Sequence, residues 1–95
     1  MFIVVLTYKR SLPEVEKHLA EHRAYLDRHY ADGSFLCSGP QNPRMGGVIL
    51  CCAADRAAVE TLTAEDPFRI HGIAEYGIIE FSPTKHQPGL EQFIR

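Results

Sequence analysis

GSFLCSGPQNPRMGGVILCCAA, residues 33 to 54, holds two apolar runs separated by a dense group of turn formers. Ser34 to Ser38 and Gly47 to Ala54 carry strand patterns, while Gly39-Pro40-Gln41-Asn42-Pro43-Arg44 cannot continue a central strand. The stretch reads as a β-hairpin. Gly33 opens it as the left-handed residue that closes a preceding helix. Upstream, that helix begins at Ser11-Leu12-Pro13-Glu14, where a hydroxyl cap, a proline with preset φ and a first-turn carboxylate coincide. Its apolar stripe runs through Val15, Leu19, His22, Leu26 and Tyr30. Before it, FIVVLTY (2 to 8) is β-branched and aromatic, with no strict polar alternation, and reads as a strand covered on both faces.

Downstream, Asp55 caps a second, short helix with Ala58, Val59 and Leu62 on one side, and Glu65-Asp66-Pro67 stops it. AEYGIIEF (74 to 81) is the last strand. The order βαββαβ is that of the split-βαβ unit, an antiparallel sheet with two helices on one face, so the expected class is α+β and ferredoxin-like. Residues 1 to 83 form the domain. Residues 84 to 95, broken by Pro88 and Gly89, form a tail ending in a short amphipathic stretch that could pack on a dimer partner.

A chain of 95 residues supports one hydrophobic core. So small a domain gains from a second subunit, and the strands apolar on both sides point to a homodimer in which two sheets meet as an α/β barrel. A net charge of -2 and a pI near 6.2 supply no field for nucleic acid or an anionic membrane. The opening apolar run is followed at once by Tyr8, Lys9 and Arg10, unlike a signal peptide, and no run approaches the ~18 apolar residues of a membrane helix. A cytoplasmic protein is expected. Three cysteines, with Cys51 and Cys52 adjacent on opposite strand faces, fit reduced thiols rather than a disulfide framework.

His22 lies in phase with the apolar stripe and so aims at the sheet. Two roles fit it: a core histidine bonded to the backbone, or a partly buried general base whose imidazole is oriented by a carboxylate. Asp66 is the candidate carboxylate, with a plain helix-ending turn residue as its alternative. Ser38-Gly39-Pro40 either ends a strand or presents a hydroxyl and a backbone N–H to a substrate oxygen. Arg44 is a solvated loop residue or a partner for an anionic substrate. His18 and His22 share a helix face, but with His29, His71 and His86 scattered the spacing defines no metal site. No phosphate loop or dinucleotide fingerprint is present, so no cofactor is implied.

These segments together resemble the YCII-related proteins: FIVVLTY at the start, HLAEHRAYL from His18 to Leu26, DGSFLCSGP from Asp32 to Pro40, Gly46-Gly47, and EDPF from Glu65 to Phe68. The resemblance runs nearly to Pro83. It implies a ferredoxin-like fold that dimerises as an α/β barrel, an active-site pair at His22 and Asp66, and a small-molecule pocket beside Ser38, Gly39 and Pro40; Arg44 and Phe68 are the further substrate-binding candidates. The family includes a dehydrochlorinase acting on a chlorinated hydroxyhydroquinone. The expected function is cofactor-free proton transfer, with elimination or isomerisation of a small cyclic or phenolic compound. The alternative is a non-catalytic module, dimeric and regulatory, that holds a metabolite in the same pocket.

Overall fold

The computed structural model describes residues 1 to 94. Its elements are β1 (Phe2–Tyr8), α1 (Leu12–Lys17), α2 (Leu19–Ala31), β2 (Phe35–Pro40), β3 (Gly46–Cys51), α3 (Arg56–Ala64), α4 (Pro67–Ile70), β4 (Ala74–Glu80) and a 3₁₀ turn over Glu91–Phe93. The strands form one antiparallel sheet in the order β2-β3-β1-β4, with β1 paired to both β3 and β4. This is the α+β ferredoxin-like arrangement. Among the described residues, no helix is long and apolar enough to cross a membrane.

Strand period two sorts β1 cleanly. Phe2, Val4 and Leu6 are buried under the helices, and each contributes about 1.5–3 kcal/mol as an apolar side chain removed from water. They join Ile49, Cys51, Val15, Tyr25, Phe35, Val59 and Phe68 in a single core. The opposite face carries half-buried Ile3, Val5 and Leu50 with exposed Val48 and Ile79 in register. In Cys51, burial pushes the thiol up to about 11, which leaves it an inert packing group.

The first helix is interrupted. His18 takes φ -111° and ψ 5°, and its N–H bonds the Val15 carbonyl in a tightened turn before α2 starts at Leu19. The restart rotates the inward face, so Tyr25 and His29 lie innermost, whereas Leu26 is half-buried and Tyr30 is exposed. The Tyr25 hydroxyl donates to the Leu62 carbonyl at 2.7 Å and ties α2 to α3. Asp32 and Gly33 close α2 as expected, with Gly33 at φ 84°.

Strand β2 runs two residues further than its composition suggests, with Gly39 paired to Val48 and Pro40 to Gly47. Proline is tolerated because β2 is the sheet edge, where a missing N–H breaks no ladder bond. Strand β3 is shorter than expected, ending at Cys51. Cys52 is nonetheless buried, because its Sγ donates to the Phe93 carbonyl at 2.7 Å and the tail covers it. Of the expected tail, Arg95 lies outside the described residues. Asp55 caps α3 through the Ala58 N–H at 2.9 Å, as read from the sequence. Pro67 ends that helix and also starts α4, at whose N-terminus Asp66 is the cap.

Candidate functional site

Between α2 and the sheet over β1, β3 and β2 lies a pocket of about 400 Å³. Leu6, Tyr8, Gly47 and Ile49 form its floor, Ser38, Gly39 and Pro40 one wall, and Leu19, His22, Arg23 and Leu26 the helix wall. Phe68 closes the inner end, and Glu16 and Arg44 stand at the rim.

Two unrelated local features put His22 and Asp66 together. His22 lies on the buried side of α2, and Asp66 is held in the extended conformation of an N-cap at φ -66° and ψ 126°. Asp66 is fully buried, and three donors meet its carboxylate. Oδ1 accepts the Phe68 N–H at 2.9 Å and stands 2.8 Å from His22 Nδ1, while Oδ2 accepts the Tyr76 hydroxyl at 2.5 Å. Burial first, and the Asp66 charge second, push the Tyr76 phenol far above the ordinary tyrosine range, so it remains a donor. The buried carboxylate accepts a hydrogen bond from the Nδ1–H of His22, which leaves the imidazole lone pair on Nε2.

The His22 ring is fixed in a second way. It stacks on Phe68 with centroids 4.0 Å apart and planes 2° from parallel. Phe68 in turn meets Tyr8 edge-on at 6.1 Å. A buried imidazole held at one nitrogen and along one face has little freedom left to lose when a ligand arrives.

The remaining sequence candidates are distributed around this pair. The Ser38 Oγ lies 2.5 Å from the Tyr30 hydroxyl, so either oxygen can donate. Gly39 and Pro40 continue the same wall. Arg44 is not free in solvent: its Nη1 donates to Glu16 Oε1 at 2.8 Å, and its guanidinium lies 6.0 Å from the Tyr8 ring centroid. Glu16, followed by Tyr8, holds that guanidinium charged more firmly than usual.

Sequence reasoning missed three participants. Arg23 lines the pocket and has no ion pair among the described residues. Glu16 neutralises Arg44 across a separation of 28 residues that no local signal reports. Tyr76 alternates with Ala74 and Ile78 on the core side of β4, so strand period two was a signal that could have placed it under the helices. His18 and His71, scattered in sequence, stack on each other beside Glu21.

Comparison with known proteins agrees with this fold. No curated protein matches the sequence. Among solved structures, the chain is similar to 5-chloro-2-hydroxyhydroquinone dehydrochlorinase from Burkholderia phenoliruptrix AC1100, solved in complex with 2,5-dihydroxybenzoquinone. The TM-score is 0.71 at 22% identity, over 92% of this chain and 96% of that one. At that identity the likeness establishes the fold. The model of the YCII-related domain matches residues 1–82, nearly the whole described chain, and the protein therefore belongs to the YCII-related family.

Proposed function

We propose that the protein is a small-molecule enzyme in which His22 is the general base, oriented by Asp66, and the substrate is a small cyclic or phenolic compound. The observation that carries this reading is the 2.8 Å contact of Nδ1 with a buried carboxylate, on a ring that lines an open pocket. A core histidine would have no need of that space.

In the proposed step, His22 Nε2 takes a proton from a substrate hydroxyl or an activated C–H. The bonding pair passes into the ring, and a leaving group on a neighbouring carbon departs with its own pair, which is elimination. Return of the proton from imidazolium to a different carbon is isomerisation. The Asp66 carboxylate stabilises the imidazolium formed in either case, and general base catalysis of this kind contributes about 10²–10⁴-fold. Arg23 and the Ser38 hydroxyl lie where they can stabilise the negative charge that builds on a substrate oxygen. The apolar side chains of Leu19, Leu26 and Ile49 that line the pocket suit a ring. This chain's own side chains supply every proton transfer in the scheme.

The proposed working unit is a homodimer joined through the outer sheet face of Ile3, Val5, Val48, Leu50 and Ile79. The test is turnover of chlorinated and hydroxylated quinols, followed by absorbance, in wild type, His22→Ala and Asp66→Asn. Loss of turnover in His22→Ala with binding retained supports the reading. Binding without turnover in the wild type across the panel favours the metabolite-holding module.

A further inference from the structure

Outside the pocket, His18, Glu21 and His71 converge on one point. His18 occupies the break between α1 and α2, Glu21 follows it by three residues, and His71 ends α4. The two imidazoles stack with centroids 4.2 Å apart and planes 22° from parallel. His18 Nδ1 lies 3.5 Å from Glu21 Oε1, and His71 Nε2 lies 3.5 Å from Glu21 Oε2. One donor atom from each residue fits within 4.8 Å of the others.

A shared carboxylate does not by itself account for this cluster. His18 Nδ1 is buried and, among the described residues, has no hydrogen-bond partner; the carboxylate at 3.5 Å is too far to supply one. Buried polar atoms in native proteins are satisfied by protein, water or an ion, and an orphan asks which of these is its natural partner. Donors around a tetrahedral ion with metal–nitrogen bonds of about 2.0–2.1 Å stand about 3.4 Å apart. The 3.5 Å separations from His18 Nδ1 to Oε1 and from His71 Nε2 to Oε2 are near that value, and because a metal bond lies in the plane of each imidazole, the half-exposed His71 ring turns out of its stack on His18 to complete the site.

We propose that His18 Nδ1, His71 Nε2 and a Glu21 oxygen bind a divalent transition-metal ion of the zinc class, with water as the fourth ligand. Two imidazoles and one carboxylate select zinc, cobalt, nickel or copper over magnesium and calcium, which take oxygen ligands. With the Glu21 side chain 55% and the His71 side chain 43% exposed, the ion is reachable from solvent and exchangeable. Its mechanical effect is to tie the α1–α2 break to the end of α4. Helix α4 carries Phe68, against which His22 stacks, and follows directly from Asp66, so the ion braces the elements that hold the pocket pair. The proposal stands apart from the reading of His22 as a base.

The experiment uses the full untagged chain, stripped with a chelator and dialysed. Zinc is titrated calorimetrically, and cobalt is followed by its visible absorption. One ion per chain is expected, with a higher thermal midpoint in its presence because binding favours the folded state. His71→Ala and Glu21→Gln, both at exposed side chains and so compatible with folding, each weaken binding at least about tenfold, the lower limit seen even for residues that only support a ligand. His86→Ala, outside the cluster, leaves it unchanged. Absence of stoichiometric binding to the wild type overturns the proposal, as does binding that survives in both His71→Ala and Glu21→Gln.

Discussion

Asp66→Asn keeps the size of the side chain and removes only its charge and one acceptor, so it measures how much the site depends on the carboxylate. In the wild type, three donors converge on a fully buried group: His22 Nδ1, the Phe68 N–H and the Tyr76 hydroxyl. An asparagine with its carbonyl in place of Oδ1 keeps the first two as neutral bonds. Hydrogen bonds to a charged group contribute about 1.5–3 kcal/mol and neutral ones about 0.5–1.5, so each loses about 1 kcal/mol. The amide NH₂ then faces the Tyr76 hydroxyl, which must turn and accept instead of donating. The sum is a loss of about 2–4 kcal/mol, a large share of the ~5–14 kcal/mol available to a domain of this length. Urea unfolding at fixed protein concentration, followed by circular dichroism, reads the change. With a slope of about 1–3 kcal/mol/M, the midpoint falls by about 0.7–4 M. A midpoint within about 0.3 M of wild type would refute the reasoning, since Asp66 would then carry no burden as a buried, multiply bonded anion.

Three further outcomes follow from other parts of the molecule. Hydrogen bonding from Ser34, and after it from His29, holds the Asp32 carboxyl below its ordinary value, so its stabilising contribution is present above the unfolded value of about 3.9 and is lost as pH falls through the folded one. In acid titrations of unfolding, Asp32→Asn therefore flattens the stability curve below about pH 4, by a small amount because the group is mostly exposed to solvent. Gly46→Ala places a Cβ 1.8 Å from the Leu6 carbonyl oxygen, so β1 and β3 must separate locally; a loss of more than about 3 kcal/mol is expected, and near-neutral unfolding data would contradict the close approach. Sedimentation at micromolar concentration is expected to give a dimer that Val48→Glu and Ile79→Glu disrupt, and a wild-type monomer would remove the sheet-to-sheet interface.

Features fixed by neighbouring residues were legible in the sequence. Gly33 closing a helix, Asp55 capping one and the hairpin between them depend on local backbone preferences, and together they define the βαββαβ order. The break at His18 was not legible, because Val15, Leu19, His22 and Leu26 keep an unbroken helical spacing. The interruption coincides with stacking on His71, more than fifty residues away. The same break explains why Tyr25 and His29 displace Leu26 and Tyr30 as the innermost residues of α2. Pro40 in a strand became intelligible only with β2 at the sheet edge.

The candidate site divides the same way. His22 was visible through its phase and Asp66 through its helix-end position, whereas the Phe68 stack, the Tyr76 bond and the Glu16–Arg44 pair are products of tertiary packing. The Asp66-Pro67 pair was legible as a stop. Its second meaning, a cap and first residue of another helix, is equally present in the residues, and only the chain direction after it decides between them.

The central claim, that His22 Nε2 meets the reacting part of a small ring compound, is tested most directly by a crystal structure with 2,5-dihydroxybenzoquinone soaked into the protein. The account predicts the ring in the pocket between α2 and β3, with a ligand oxygen within about 2.6–3.2 Å of His22 Nε2 and the Asp66 contact to Nδ1 unbroken. A ligand bound away from His22, or a His22 ring whose Nε2 is turned into the protein and bonded there, would contradict it.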